Sequence, residues 1–223
     1  MSGDPYSRYF YEGTETFTNK LGILNSEELR VFEYEWTHLH QTEALTFARQ
    51  ADTLDELTLQ GIHKILFGDI YSWAGQWRTI ALHKDQTTFQ AAVSTERMHA
   101  ICQTFTENSA LHKDKIGPFA GALARLWGSL NHEHPFVEGN GRATQILLTV
   151  AAERSGWKID WAKVTRANEM DAAIQSCMLS MKDRRFNAYH DLLMRVLQPL
   201  HIPEHDTNQR GPQAPFNRSN LTR

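Results

Sequence analysis

Apolar residues recur at helical spacing along most of this chain, and the recurrence breaks decisively only once. Leu29, Phe32, Trp36 and Leu39 stand at i, i+3, i+7 and i+10, one face of a long helix that Ser26 is placed to cap. Thr53, with Glu56 three residues on, has the capping-box pattern ahead of Leu54, Leu57, Ile62, Ile65 and Leu66. Met98, Ile101, Cys102 and Phe105 mark a third helix over about 93–108. Ile116, Phe119, Leu123, Leu126, Trp127 and Leu130 mark a fourth over about 115–132, with Pro118 in its first turn, where a missing N–H is tolerated. A fifth runs over about 142–154 and stops at Ser155-Gly156, Asp160 heads a short one, and 167–180 and 184–199 complete the set. Stripes of this kind are buried by packing helix on helix, so the expected fold is all-α.

The break lies at 73–91. Trp77, Thr79 and Ala81, then Thr87 to Gln90, flank the polar tip His83-Lys84-Asp85-Gln86, which predicts one short β-hairpin over about 77–91. One helical domain over 26–200 then carries this hairpin. Residues 1–25, punctuated by Asp4-Pro5 and Glu12-Gly13, form an extension packing on it, and 201–223, with Pro203, Pro212 and Pro215, form a flexible tail or linker. A net charge of −3 over 223 residues gives no basic excess for nucleic acid. The apolar runs are too short to span a membrane, and the N-terminus lacks the basic and apolar regions of a secretory signal. Cys102 and Cys177 lie in helical stretches and read as reduced core thiols of a cytoplasmic protein.

Between the fourth and fifth helices lies His134-Pro135-Phe136-Val137-Glu138-Gly139-Asn140-Gly141-Arg142. Pro135 stops the helix before it and places His134 at the helix end. Gly139 and Gly141 flank Asn140 and lead straight into the fifth helix, so successive backbone N–H groups can form an anion nest beside the positive end of the helix dipole. Arg142 adds a fixed charge with a forked donor set suited to phosphate. Glu138 beside a phosphate site is repulsive unless a divalent cation bridges them, and Mg²⁺ favours one carboxylate plus phosphates. His134 is the neighbouring group able to take a proton near neutral pH. Gly-Asn-Gly alone reads equally as a left-handed turn between helices. The Gly139-x-Gly141 pattern follows a helix rather than the strand of a dinucleotide fingerprint, and His132-Glu133-His134 lacks the i, i+4 spacing of a helical metal pair. The co-occurrence of base, acid, nest and arginine favours a metal–nucleotide site.

This run resembles the signature of the Fic (filamentation induced by cAMP) family, His-Pro-Phe-x-Glu-Gly-Asn-Gly-Arg-x-x-Arg, without a break from His134 to Arg142. Asp69-Ile70-Tyr71-Ser72-Trp73-Ala74-Gly75-Gln76-Trp77-Arg78 looks like the family's entry into a flap hairpin, and Leu130-Asn131 like the lead-in to the signature. Phe10-Tyr11-Glu12-Gly13-Thr14 through Asn19-Lys20-Leu21-Gly22-Ile23 resembles the N-terminal part of toxin-type Fic proteins and of Bartonella effectors. The resemblance implies a mainly helical Fic fold with a flap, and a protein adenylyltransferase that moves AMP from ATP to a hydroxyl of a target protein. His134 would be its general base and Glu138 the holder of Mg²⁺. Asn131, Phe136, Gly139, Asn140, Gly141, Arg142 and Gln145 would form the nucleotide site, with Asn140 and its flanking glycines anchoring the α-phosphate region, Arg142 on the phosphates and Phe136 packed inward. Lys84, Thr87, Thr88 and Phe89 of the flap would dock an extended target segment by strand addition.

Gln145 departs from the pattern: the family usually has a second arginine there, which pairs with the γ-phosphate. Glutamine supplies no charge, and the interaction lost is worth about 1.5–3 kcal/mol when desolvated. The alternatives are therefore an impaired Fic-fold binding module, or transfer of a different phosphate or nucleotidyl group. The family's inhibitory motif, Ser/Thr-x-x-x-Glu-Gly/Asn, is not found: Glu12-Gly13 follows Arg8 at the required spacing, and Glu107-Asn108 follows Gln103. The resemblance then suggests restraint in trans by a small antitoxin-like protein, and either a toxin acting in its own cytoplasm or an effector translocated into a host cell.

Overall fold

The computed structural model describes residues 6–84, 87–89, 93–165, 167 and 186–200, with the backbone alone at 83–84 and 87–88. The helices are α1 (Ser26–Gln50), α2 (Glu56–Phe67), α3 (Thr95–His112), α4 (Ile116–Glu133), α5 (Asn140–Arg154) and α6 (Asn187–Val196). The predicted hairpin is β1 (Leu82–Lys84) and β2 (Thr87–Phe89), antiparallel with Leu82 opposite Phe89. A second antiparallel pair, β3 (Trp157–Ile159) with β4 (Leu197–Pro199), ties the end of α5 to the end of α6. The periodicity did not signal it, because three-residue strands are too short to alternate visibly. After Asp160 there is a single 3-10 turn, Trp161–Lys163. Cys177, the helix expected over 167–180 from residue 168 on, and the tail 201–223 lie outside the described residues.

Two caps differ from expectation by a residue or two. Asn25, not Ser26, caps α1, its side-chain oxygen accepting from the N–H groups of Glu27 and Glu28 at 3.0 Å. Asp55, not Thr53, caps α2, accepting from Thr58 N–H at 2.9 Å, while Thr53 donates to the Asp55 carboxylate. The inner face of α1 also differs. Leu39 is 72% exposed, whereas Leu29, Glu33, Thr37, Ala44 and Ala48 are buried. The helix is rotated so that two polar residues face inward, and the site below explains why.

The core is built on α4 and α5, whose Phe119, Leu123, Leu126, Leu130, Ala143, Leu147, Leu148 and Val150 are buried. Side chains of this size each contribute about 1.5–3 kcal/mol on full burial, with alanine less. Residues 6–25 lie against this frame. Tyr9 is buried with its ring edge-on to Trp73 and its hydroxyl 3.1 Å from that of Thr79, and Lys20 N–H donates to Ile70 O at 2.8 Å. Cys102 is buried, and burial pushes its thiol up to about 12, leaving it unreactive near neutral pH. Among the described residues no helix is long and apolar enough to cross a membrane.

Candidate active site

The residues from His134 to Arg142 form a tight loop between the C-terminus of α4 and the N-terminus of α5. His134 ends α4 in the left-handed conformation (φ 45°, ψ 61°), the one non-glycine residue with positive φ among those described. Its N–H donates to Leu130 O at 3.0 Å. The loop closes on itself through Asn140, whose carboxamide accepts from Phe136 N–H at 2.8 Å and donates to Phe136 O at 2.7 Å. Phe136 is fully buried, stacked at 3.8 Å on His63 and tilted against Trp77. With its side chain engaged in the loop, Asn140 has its backbone left to offer a ligand.

Gly139 is the N-cap of α5, with φ 80° and no side-chain cap. A Cβ on it would lie 2.3 Å from the Phe67 ring, so both conformation and space demand glycine. Gly141 is exposed, with open space where a Cβ would be. The first-turn N–H groups of α5 therefore face an open corner without a capping side chain, which is the arrangement that binds phosphate.

Glu138 and Arg142 stand at that corner. One oxygen of the half-exposed Glu138 carboxylate accepts from Gly139 N–H at 2.9 Å and lies 3.2 Å from Arg142. Arg142 also forms an ion pair with the buried Glu33 of α1, donates to Thr37 at 3.3 Å, and lies over the Phe67 ring at 4.7 Å. Glu33 in turn accepts from the Tyr71 hydroxyl at 2.5 Å. Burial and then the Glu33 charge push the Tyr71 hydroxyl far above its ordinary value, so it stays a donor. This is why α1 turns Glu33 and Thr37 inward.

Residues 53–152 match the Fic/DOC family model. The chain is a member of the Fic/DOC family. It is 31% identical over 176 residues to protein adenylyltransferase VbhT of Bartonella schoenbuchensis, covering 78% of this chain and 36% of that protein. It therefore spans about a third of VbhT's length. It is 28% identical to a protein named as a probable protein adenylyltransferase of Sinorhizobium fredii, covering 74% of this chain and 85% of that one. Among solved structures, the N-terminal Fic domain of a VirB-translocated Bep effector protein from Bartonella quintana, with bound ADP, superposes with a TM-score of 0.74 at 25% identity, covering 86% of this chain and 95% of that chain.

Within this Fic domain, Asn131 is half-buried on the last turn of α4, and Gln145 is half-buried one turn along α5 from Arg142. The Gln145 carboxamide makes no hydrogen bond among the described residues. Phe89 is buried, its ring stacked on the His134 imidazole at 4.4 Å. Lys84, Thr87 and Thr88 belong to the hairpin by backbone, and their side chains lie outside what is described.

Three further residues complete the site. His63 is fully buried: its Nδ1 accepts from Gly75 N–H, so its Nε2 carries the proton and donates to Glu138 O, both at 2.9 Å. Burial pulls its pKa down to about 3, which keeps the ring neutral, as this pair of bonds requires. Arg78 is buried against the end of α4, and Glu33 holds Arg142. Their signals were faint: a histidine on the apolar face of α2, an arginine at the end of the Trp73–Arg78 segment, and Glu33 and Thr37 at i and i+4 on α1.

Among the described residues no group of three or more His, Cys, Asp or Glu could hold a metal. The one available carboxylate beside the open helix end suits Mg²⁺ held jointly with phosphate, not a protein-only cage.

Proposed function

We propose that this chain is a protein adenylyltransferase that transfers AMP from ATP to a hydroxyl side chain of a target protein. The observation that carries the reading is the uncapped N-terminus of α5, with the Glu138 carboxylate beside it and His134 at the start of the same short loop. The N–H groups of the first turn, from Asn140 through Arg142, bind the phosphate chain, and Arg142 adds its charge. His134 takes the proton of the target hydroxyl. The hydroxyl oxygen forms a bond to the α-phosphorus, the bond from that phosphorus to the bridging oxygen of the β-phosphate breaks, and pyrophosphate leaves. Mg²⁺ bound by Glu138 would neutralise phosphate charge. The fold holds these groups in place before substrate arrives, so transfer relies on positioning and electrostatics. The name of VbhT and the ADP bound to the Bartonella quintana domain support the reading.

β1 and β2 pair only with each other among the described residues, so the hairpin offers a strand edge. An extended target segment adds there along Lys84, Thr87, Thr88 and Phe89, bringing its hydroxyl to His134. Restraint by a small inhibitory protein in trans, and delivery into a host cell as for the VirB-translocated relative, belong to the same reading.

Gln145 favours a second reading, a slow enzyme or a binding module, because the γ-phosphate end of ATP lacks a charged partner there. One experiment decides. The protein is incubated with Mg²⁺, lysate and α-labelled or γ-labelled ATP, beside His134→Ala. Protein label from the α-phosphate, lost in the variant, is expected. Label from the γ-phosphate alone means a kinase-like transfer, and no label with measurable ATP binding means a binding module.

A further inference from the structure

We infer that Arg78 is the positioning residue of the general base: its buried guanidinium holds the backbone at the end of α4 in the turn that aims His134. For the meaning of that aim the inference rests on the transfer reaction proposed above. For the contact it rests on geometry alone.

The last carbonyls of a helix have no partners within it. At the end of α4, Arg78 supplies them. Its Nε donates to His134 O at 2.7 Å and its Nη2 to Glu133 O at 3.0 Å. Its Nη1 donates to Ile80 O at 2.6 Å, and its own main-chain N–H donates to Pro135 O at 2.9 Å. One residue, only 2% exposed, thus ties the backbone of three consecutive residues to the root of the hairpin, 133 and 134 through its side chain and 135 through its own N–H. The planar fork sets the relative placement of these carbonyls, which a lysine cannot do. Its positive charge also suits a helix C-terminus.

What is held there is unusual. His134 adopts a left-handed conformation that a side chain with a Cβ rarely accepts, and such a turn persists only where its surroundings over-determine it. With the turn in place, the imidazole lies against Phe89 of β2 at 4.4 Å, their planes 25° apart. Arg78 therefore sets both members of this stack, His134 through its carbonyl and the hairpin through Ile80. These four bonds go to residues 80 and 133–135, outside the phosphate nest at 139–142.

The test uses the full chain as Arg78→Lys and Arg78→Met. Three quantities are read: the maximal rate of AMP transfer from α-labelled ATP, ADP affinity by calorimetry, and the NMR position of the His134 ring Cε1–H. That signal is identified by its loss in His134→Ala, and its upfield displacement by the Phe89 face is confirmed by its loss in Phe89→Ala. In Arg78→Lys the maximal rate should fall by about 100-fold, the effect of a misplacement on the order of 1 Å. KM for ATP and ADP affinity should hold within about threefold, because binding is left intact. The His134 signal should move to its position in Phe89→Ala. A signal that stays in place overturns the inference. So does a rate that falls together with ADP affinity, or unfolding of Arg78→Lys as well as Arg78→Met, since Arg78 would then hold the fold and not the base. If the unaltered protein transfers no label, the transfer reading fails while the ring signal still decides the role of Arg78.

Discussion

Glu33→Gln should tighten nucleotide binding while weakening the fold. The Glu33 side chain is 8% exposed and the Arg142 side chain 31%, so their ion pair is screened only in part. Two unit charges 4 Å apart interact by about 4 kcal/mol at an effective dielectric of about 20. The exposed part of Arg142 and the cost of burying Glu33 reduce this to about 1–2 kcal/mol net. A nucleotide entering the α5 corner meets two carboxylates, Glu33 and Glu138, that share Arg142 with it. Glutamine keeps an acceptor for the Tyr71 hydroxyl but removes one negative charge, and its amide group does not hold Arg142. ADP affinity should rise by about 5–30-fold, the equivalent of 1–2 kcal/mol. The melting temperature should fall by about 2–8 °C, at about 2–4 °C per kcal/mol for a chain of this size. Calorimetry with ADP at two salt concentrations, beside a thermal melt, reads both. The gain should shrink at high salt, since the Arg142 end is partly exposed. Weaker ADP binding would refute the reasoning, because Glu33 would then act by holding Arg142 ready for phosphate.

Gln145→Arg should raise AMP transfer by about tenfold, near the low end of a charge-assisted contact, and no gain with nucleotide binding unchanged counts against the assigned deficit. Gly139→Ala should cost about 2–4 kcal/mol, from the left-handed backbone and a Cβ 2.3 Å from the Phe67 ring, read as a drop in denaturant midpoint; a midpoint within error of the original would mean that Phe67 moves freely. For His63 the folded pKa is about 3 and the unfolded value 6.5, so the unfolded chain binds the extra proton between them. The stability this neutral ring contributes is complete above about pH 6.5 and should be lost as pH falls toward 3, by roughly 1 kcal/mol per pH unit. The stability difference between the protein and His63→Asn should therefore shrink over that window, and a difference that stays constant with pH would show that His63 is not held neutral.

The helical periodicity of α4 and α5 was legible because both pack on several sides, so their apolar stripes are wide. The hairpin was legible as the interruption of that period. For α1 the same reasoning gave the face only in part. Leu29 is buried and Phe32 and Trp36 pack against the core, but Leu39 is exposed, and the row through Leu29, Glu33 and Thr37 is the one that turns fully inward. A periodicity argument assumes that polar residues face water, and it fails where a polar residue has a buried partner, here Arg142 for Glu33.

The chemistry of His134 to Arg142 could be assigned from residue types because one short loop joins base, acid, nest and arginine, and local sequence alone brings them together. What holds that loop comes from elsewhere in the chain. His63 and Arg78, 75 and 56 residues away from their partners Glu138 and His134, bond main-chain oxygens. A carbonyl is the same at every position and leaves no trace in a sequence, so no pairing of residue types could announce these contacts. By itself the sequence determined which chemical groups the site contains. Only the tertiary structure decided how they are aimed and which buried side chains hold them there.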